Sequence, residues 1–298
     1  MRAPTFLILG APKCGTTALH HALARHPDVF LAPDKDPLFF ELDAEYGAGP
    51  EAYWYRYFAD WRGETAVGEA RPTKLMLPYV PERVRRWFPD VRLIAILRDP
   101  ADRAFSHWWM RRCNGLESRD FEEALRANAR AMETGRTFAG PSGVVAWREH
   151  LDPRVPTAPV YLEFGEYPAQ LARWIECFGR ERVRIVFFDD WTRDSEGVLG
   201  GLHEFLGVDP LRALPGRSRY NAALSGASLR GLELDRRLGL SRLVPPRVRR
   251  GVKDLLSRRA TPPRPDPSVR RWLIERYAGD IRALEELTER DLSPWRSP

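Results

Sequence analysis

The stretch TFLILGAPKCGTTALHHAL, residues 5–23, constrains the fold more than any other part of this chain. Residues 6–9 form the short apolar run of a buried parallel strand, and Ala18, Leu19, Ala22 and Leu23 recur at helical spacing. Residues 10–17 therefore make a strand-to-helix turn. In such a turn the amides of the loop and of the first helical turn converge, and the helix dipole adds partial positive charge there. The ligand it favours is an anion, most often a phosphate.

A nucleoside triphosphate loop reads G-x-x-x-x-G-K-[ST]. Gly10, Gly15 and Thr17 fit it, but Thr16 holds the lysine's place and the lysine stands three residues earlier, at Lys13. The usual lysine reaches the β- and γ-phosphates beside a magnesium-binding hydroxyl, so a lysine ahead of the second glycine suits a shorter anion. The alternative is a plain glycine turn with a solvated lysine. Strand, two glycines, lysine and paired threonines together favour the anion site. Cys14 invites comparison with loops whose thiolate attacks phosphate. Those loops close with an arginine about one turn later, where Ala18, Leu19 and His20 stand, so Cys14 is read as a small loop residue. Cys113 and Cys177 complete a total of three cysteines with no C-x-x-C, so neither a disulfide framework nor a structural zinc site is expected.

Further apolar strands are expected in VRLIAIL (91–97) and RVRIVFF (182–188), with helical patterns in PERVRRWF, DPADRAFSHWWMRRC and PAQLARWIECFG between and around them. Strands alternating with helices predict an α/β fold with a parallel central sheet flanked by helices, whose ligands collect at the carboxyl ends of the strands. Residues 5–40, 65–114 and 160–207 form that frame, and we read 1–298 as a single domain. Residues 43–62 and 135–160, rich in aromatics, Gly and Pro, are expected to be insertions that hold a variable acceptor; ordinary core aromatics are the alternative. From 209 to 266 the chain is dense in Arg and Pro, with a basic amphipathic pattern in PPRVRRGVKDLLSRR, and a last helix is expected in VRRWLIERYAGDIRALEELTERDL. The first strand begins by residue 6 and is far too short for a signal or a membrane span, so a cytoplasmic protein with no integral membrane association is expected. The net charge is +6, and arginine far outnumbers lysine, which permits a phosphate or sulfate ligand or a nucleic acid.

After the strand at 91–97 comes RDPADRAFSH. Arg98 stands at the strand's carboxyl end, Pro100 suits an early helical turn, and Ser106 follows about two turns later. A guanidinium and a hydroxyl there would clasp a second phosphate. A kinase reading would instead take Asp99 as a magnesium-binding strand end.

APKCGTTAL, HPDVFLAPDKDPLFF, LRDPADRAFSHW and DLSPW together resemble the sulfotransferases that use 3′-phosphoadenosine 5′-phosphosulfate, in the branch of the heparan sulfate sulfotransferases and their bacterial relatives. The resemblance covers nearly the whole chain. It implies a P-loop NTPase-like sulfotransferase fold, with Lys13, Cys14, Gly15, Thr16 and Thr17 on the 5′-phosphosulfate, Arg98 and Ser106 on the 3′-phosphate, and Arg217 and Arg219 in a basic segment closing over the donor. It implies no metal, because there is no triphosphate chain to neutralise. The family's KEPxFF-like segment carries a glutamate base, and here KDPLFF puts Asp36 in that place. Asp36 is the first candidate base and a turn before Pro37 is its alternative; His107 and Glu69 are held in reserve, and His20 and His21 are read as structural. Where Lys74 stands the family tends to have an aromatic, which implies a changed acceptor contact.

The expected activity is metal-independent transfer of a sulfuryl group to a hydroxyl, before an amine, of a saccharide or natural product. The same fold also admits an ATP-dependent small-molecule kinase, and the basic composition admits a nucleic-acid-binding protein, although no nucleic-acid motif is present. The acceptor, the pathway and the oligomeric state are not written in the sequence.

Overall fold

The computed structural model describes residues 2–34, 36–134, 144–145, 160–212, 263 and 265–297. In chain order it runs β1 (Phe6–Gly10), α1 (Thr16–Leu23), β2 (Val29–Leu31), α2 (Asp43–Gly47), α3 (Gly49–Tyr57), β3 (Ala66–Ala70), α4 (Val80–Trp87), β4 (Arg92–Leu97), α5 (Pro100–Cys113) and α6 (Phe121–Glu133). It continues with α7 (Tyr167–Phe178), β5 (Val183–Phe187), α8 (Phe188–Arg193), α9 (Ser195–Leu206) and α10 (Pro267–Thr288).

The strands pair in the order β2-β3-β1-β4-β5, and every pairing is parallel. Strands buried on both faces read as continuous apolar runs, and FLILG and RLIAIL do so. From β1 the chain turns to one side of the sheet, and from β4 it turns to the other. That makes the neighbouring carboxyl ends of β1 and β4 the switch point, where an open α/β sheet leaves a crevice for a ligand. The α/β fold with a parallel sheet is as expected, with two strands more than the apolar runs disclose.

Residues 43–57 are not a loop. They form α2 and α3, most of whose aromatic side chains pack on the core while Tyr55 is exposed: Tyr53 packs on Phe39 with ring centroids 4.6 Å apart, Trp54 stacks on Phe58 at 5.1 Å, and Tyr46 stacks on Trp87 at 4.0 Å. Over these residues the expected insertion is helical, and it turns Tyr53, Trp54 and Tyr57 into the core. The second expected insertion lies almost wholly outside the described residues, as does the basic pattern at 245–259.

The C-terminal helix α10 buries Val269, Leu273, Tyr277, Ile281 and Leu284 as one stripe at helical spacing. The Tyr277 hydroxyl donates to Leu162 O at 2.8 Å. Beyond the helix, Arg290 grips Asp190 and lies 4.2 Å over the Phe187 ring, while Trp295 Nε1 donates to Asp189 at 2.9 Å. The tail motif DLSPW thus fastens the chain's end to the carboxyl end of β5.

At the opposite end of α1, buried His26 accepts the Asp28 amide on Nδ1 at 3.1 Å, so its Nε2–H donates to Asp209 O at 2.7 Å. Its ring lies 4.6 Å from that of His203, and burial, then the neighbouring His26, pushes His203 down to about 4. The unfolded chain, with His203 near 6.5, takes up its proton first as pH falls. The stability due to this group is complete above about pH 6.5 and is lost as pH falls toward about 4. The urea midpoint should therefore decline between pH 6.5 and 5, and His203→Leu should flatten that decline; an unchanged slope would remove His203 as its source.

Candidate active site

The loop after β1 is built around close approaches. A Cβ on Gly10 would meet Pro72 O at 2.6 Å and Leu75 Cβ at 2.9 Å, because the segment leaving β3 crosses there. Ala11 N donates to Ile96 O at 2.8 Å, which ties the loop to β4. Lys13 (φ 72°) and Gly15 (φ 98°) are both left-handed. For lysine that conformation costs about 1–2 kcal/mol, and such residues gather at ligand clamps. Gly15 is the N-cap of α1, with no side-chain cap and no acidic residue in the first turn. The first amides of the helix, those of Thr16 and Thr17, therefore face an anion position without a capping side chain. Thr17 is exposed and Thr16 is buried.

Cys14 departs from the expected donor contact. Its amide donates to Ala11 O at 3.2 Å and its buried thiol lies 3.6 Å from the Tyr167 hydroxyl, so both of its polar groups are already engaged inside the fold. Burial, opposed by that hydrogen bond, leaves the thiol above its ordinary pKa and so a poor nucleophile.

The second loop, after β4, stands beside the first. The Tyr167 hydroxyl that touches Cys14 donates to Arg98 O at 2.8 Å. Phe188, the first residue of α8 just past β5, fills the gap: a Cβ on Gly15 would lie 3.1 Å from its ring, and the Arg98 guanidinium lies 4.9 Å over the same ring. The Arg98 side chain is 24% exposed and its ion pair with Asp102 is a loose 3.5 Å, so an anion can reach it. Asp102 and half-buried Ser106, four residues apart, share one flank of α5, and Arg98, which precedes the helix's N-cap, reaches that flank through Asp102. Asp99 caps α5 by accepting from Ala101 N at 2.8 Å and Asp102 N at 3.3 Å, and its second oxygen meets Arg270 at 3.0 Å. With both oxygens engaged, Asp99 is not the open magnesium ligand of the kinase reading.

Asp36 is half-buried and left-handed (φ 74°), and its amide donates to Ala70 O at 3.0 Å, so it sits against the carboxyl end of β3. Next to it Arg71 makes two hydrogen bonds to buried Glu41, at 2.8 and 2.9 Å. Burial works against the Arg71 charge, but Glu41, with Asp36 and Glu69, more than offsets it and keeps the pKa above the ordinary value.

Glu69 and Lys74 form an ion pair with both side chains fully buried, and Tyr53 donates to Glu69 at 3.2 Å. Burial raises the Glu69 carboxyl and lowers the Lys74 ammonium. Lys74 is thus a core residue, and the expected acceptor contact is withdrawn. His107 is also buried, 5.1 Å from the Tyr161 ring; burial, then the charges of Arg103, Arg111 and Lys13, holds it well below its ordinary pKa. His20 is buried edge-on to His21, as a structural role requires. Arg217 and Arg219 lie outside the described residues. Tyr167, Phe188, Glu41, Arg71 and Arg270 join the site without having been singled out in the sequence. Phe188, closing an apolar strand, and Arg71, in a charged strand end, each left a faint signal; Tyr167 and Arg270 left none.

Residues 3–222 match the family model described as Sulfotransferase domain. The chain is 29% identical over 209 residues to heparan sulfate glucosamine 3-O-sulfotransferase 6 of Homo sapiens, covering 70% of this chain and 53% of the relative. It is 28% identical over 214 residues to bifunctional heparan sulfate N-deacetylase/N-sulfotransferase 4 of Mus musculus, covering 70% and 22%. The match thus spans about half, or less, of these relatives' length. A crystal structure of a sulfotransferase from Alicyclobacillus acidocaldarius aligns over 100% of both chains with a TM-score of 0.71 at 26% identity. Among the described residues no helix is long and apolar enough to cross a membrane.

Removing one partner of a buried ion pair leaves the other charge stranded. Lys74→Met should therefore cost about 3–5 kcal/mol of stability in urea titration, and adding Glu69→Gln should recover much of it. A double loss equal to the sum of the losses in Lys74→Met and Glu69→Gln would show that the pair is not coupled.

Proposed function

The chain belongs to the sulfotransferase family, and on that premise we propose that it moves a sulfuryl group from 3′-phosphoadenosine 5′-phosphosulfate to a hydroxyl of a saccharide or natural product. The observation that carries this reading is the adjacency of two anion-suited loops at the β1–β4 switch point, joined by Tyr167 and Phe188. A donor with phosphate at both ends of its nucleoside needs two such sites. The residues suit it: an N-cap without a side chain at Gly15, a lysine before it, and a partly exposed arginine on the next strand. The saccharide acceptor is proposed from the heparan sulfate relatives, and the N-sulfotransferase among them keeps an amine acceptor as the second choice.

In this reading the donor supplies an activated sulfuryl group on a phosphate leaving group. Lys13 and the amides of Thr16 and Thr17 hold its 5′ end and stabilise the charge that builds on the departing phosphate, as preorganised donors do. Arg98 and Ser106 take the 3′-phosphate, which separates this donor from ATP. Asp36 takes the acceptor's proton. With the leaving-group charge met by Lys13 and backbone amides, transfer is proposed to need no metal.

Adenosine 3′,5′-bisphosphate should raise the melting temperature more than AMP or ATP, because it alone fills both sites, and a chelating agent should leave that shift unchanged. Equal shifts with AMP would sink the two-site reading, and a larger, magnesium-dependent shift with ATP would favour a kinase. For the proton, Asp36→Asn keeps shape and removes basicity. It should lower kcat about 10²- to 10⁴-fold with donor affinity near wild type, and Asp36→Glu should retain more activity. Normal turnover in Asp36→Asn together with a dead His107→Ala would give the base to His107 and leave Asp36 as the turn before Pro37.

A further inference from the structure

The family match ends at residue 222, yet a side chain from far beyond it reaches the second anion site. Arg270, in the first turn of α10, forks between two carboxylates of the β4–α5 loop: Nη1 donates to Asp102 Oδ1 at 2.9 Å and Nη2 to Asp99 Oδ2 at 3.0 Å. A longer contact of 3.4 Å runs from Nη2 to Ser297 O. The other oxygen of Asp102 faces Arg98 at 3.5 Å. Two arginines and two aspartates therefore share one small space, and Asp102 is divided unequally, hydrogen-bonded to Arg270 and only loosely paired with Arg98.

This division matters for any anion that approaches Arg98. Asp102 competes with such an anion for the guanidinium and repels it. While Arg270 holds Asp102, the carboxylate can give up Arg98 and still keep a charge-assisted hydrogen bond. Without Arg270, these residues would present two carboxylates and a single arginine to an incoming phosphate. We propose that Arg270 is a specificity-determining positioning residue for the donor's 3′-phosphate: it draws Asp102 away from Arg98 and offsets the carboxylate charge, so that Arg98 can grip the anion. The inference rests on the reading of Arg98 as the 3′-phosphate residue.

The test is calorimetric binding of adenosine 3′,5′-bisphosphate and of AMP to the full chain at one ionic strength. Arg270→Gln should weaken the bisphosphate about tenfold or more while AMP changes by less than about twofold, since AMP lacks the phosphate in question. Adding Asp102→Asn should restore most of the lost affinity, because the competing carboxylate is then gone. Asp102→Asn alone should tighten the bisphosphate several-fold, which keeps the proposal exposed even if Arg270→Gln fails to fold. Equal weakening of both ligands, no weakening at all, no rescue in the double variant, or no tightening in Asp102→Asn would each overturn it. A wild-type protein that binds the two ligands equally would instead overturn the donor reading itself; one that prefers the bisphosphate, with Arg270→Gln unaffected, would overturn only the role of Arg270.

Discussion

The hydroxyl of Tyr167, donating to the carbonyl of Arg98 with the Cys14 thiol alongside, joins the loop after β1 to the loop after β4. The rest of the site depends on this buried contact and on the Phe188 ring that fills the space between Gly15 and Arg98. Neither group offers a charge to a ligand. Together they set how far apart the two loops stand, and a packed interior holds such a spacing stiffly. The tail of the chain supports the arrangement from the other side, with Arg290 and Trp295 fixing Phe187 and the aspartates next to Phe188.

Away from the Arg98–Asp102–Arg270–Asp99 cluster, several arginines of the described residues each meet a carboxylate. Arg71 meets Glu41, Arg83 meets Asp43, Arg290 meets Asp190, and Arg296 meets Glu285. Among the described residues these arginines brace loops and the C-terminal tail against the sheet. Arginine suits that task because its planar fork satisfies a carboxylate with two hydrogen bonds at once.

The parts legible in the sequence are those in which neighbours along the chain are also neighbours in space. The strand, loop and helix of residues 5–23, the apolar strands β4 and β5, and Arg98 ahead of a capped helix are all local patterns. β3 was missed because AVGEA carries a glycine and a glutamate where a strand pattern wants apolar side chains: a Cβ on Gly68 would lie 2.6 Å from the Phe6 ring, and the Glu69 charge is met by Lys74. β2 is only three residues long. Residues 43–57 read as a loop because Gly47, Gly49 and Pro50 punctuate them, yet Gly49 turns with φ 87° and opens a helix with Pro50 in its first turn. Glu41 with Arg71, Tyr167 with Arg98, and Arg270 with Asp102 are pairings across tens to well over a hundred residues, which no spacing rule along the chain can reveal.

Among the described residues three that are not glycine have positive φ, and two of them are Lys13 and Asp36. The third, Glu289, merely ends α10, where such a turn is commonplace. Glycine at either of the first two positions would relieve the crowding between side chain and carbonyl, offset in part by the greater freedom of the unfolded chain. Selection for thermal robustness alone would thus push both positions toward the one residue that has no side chain to offer a substrate. With the roles proposed for Lys13 and Asp36, durability and usefulness pull in opposite directions at both places, and a library sorted only on heat resistance would drift away from both.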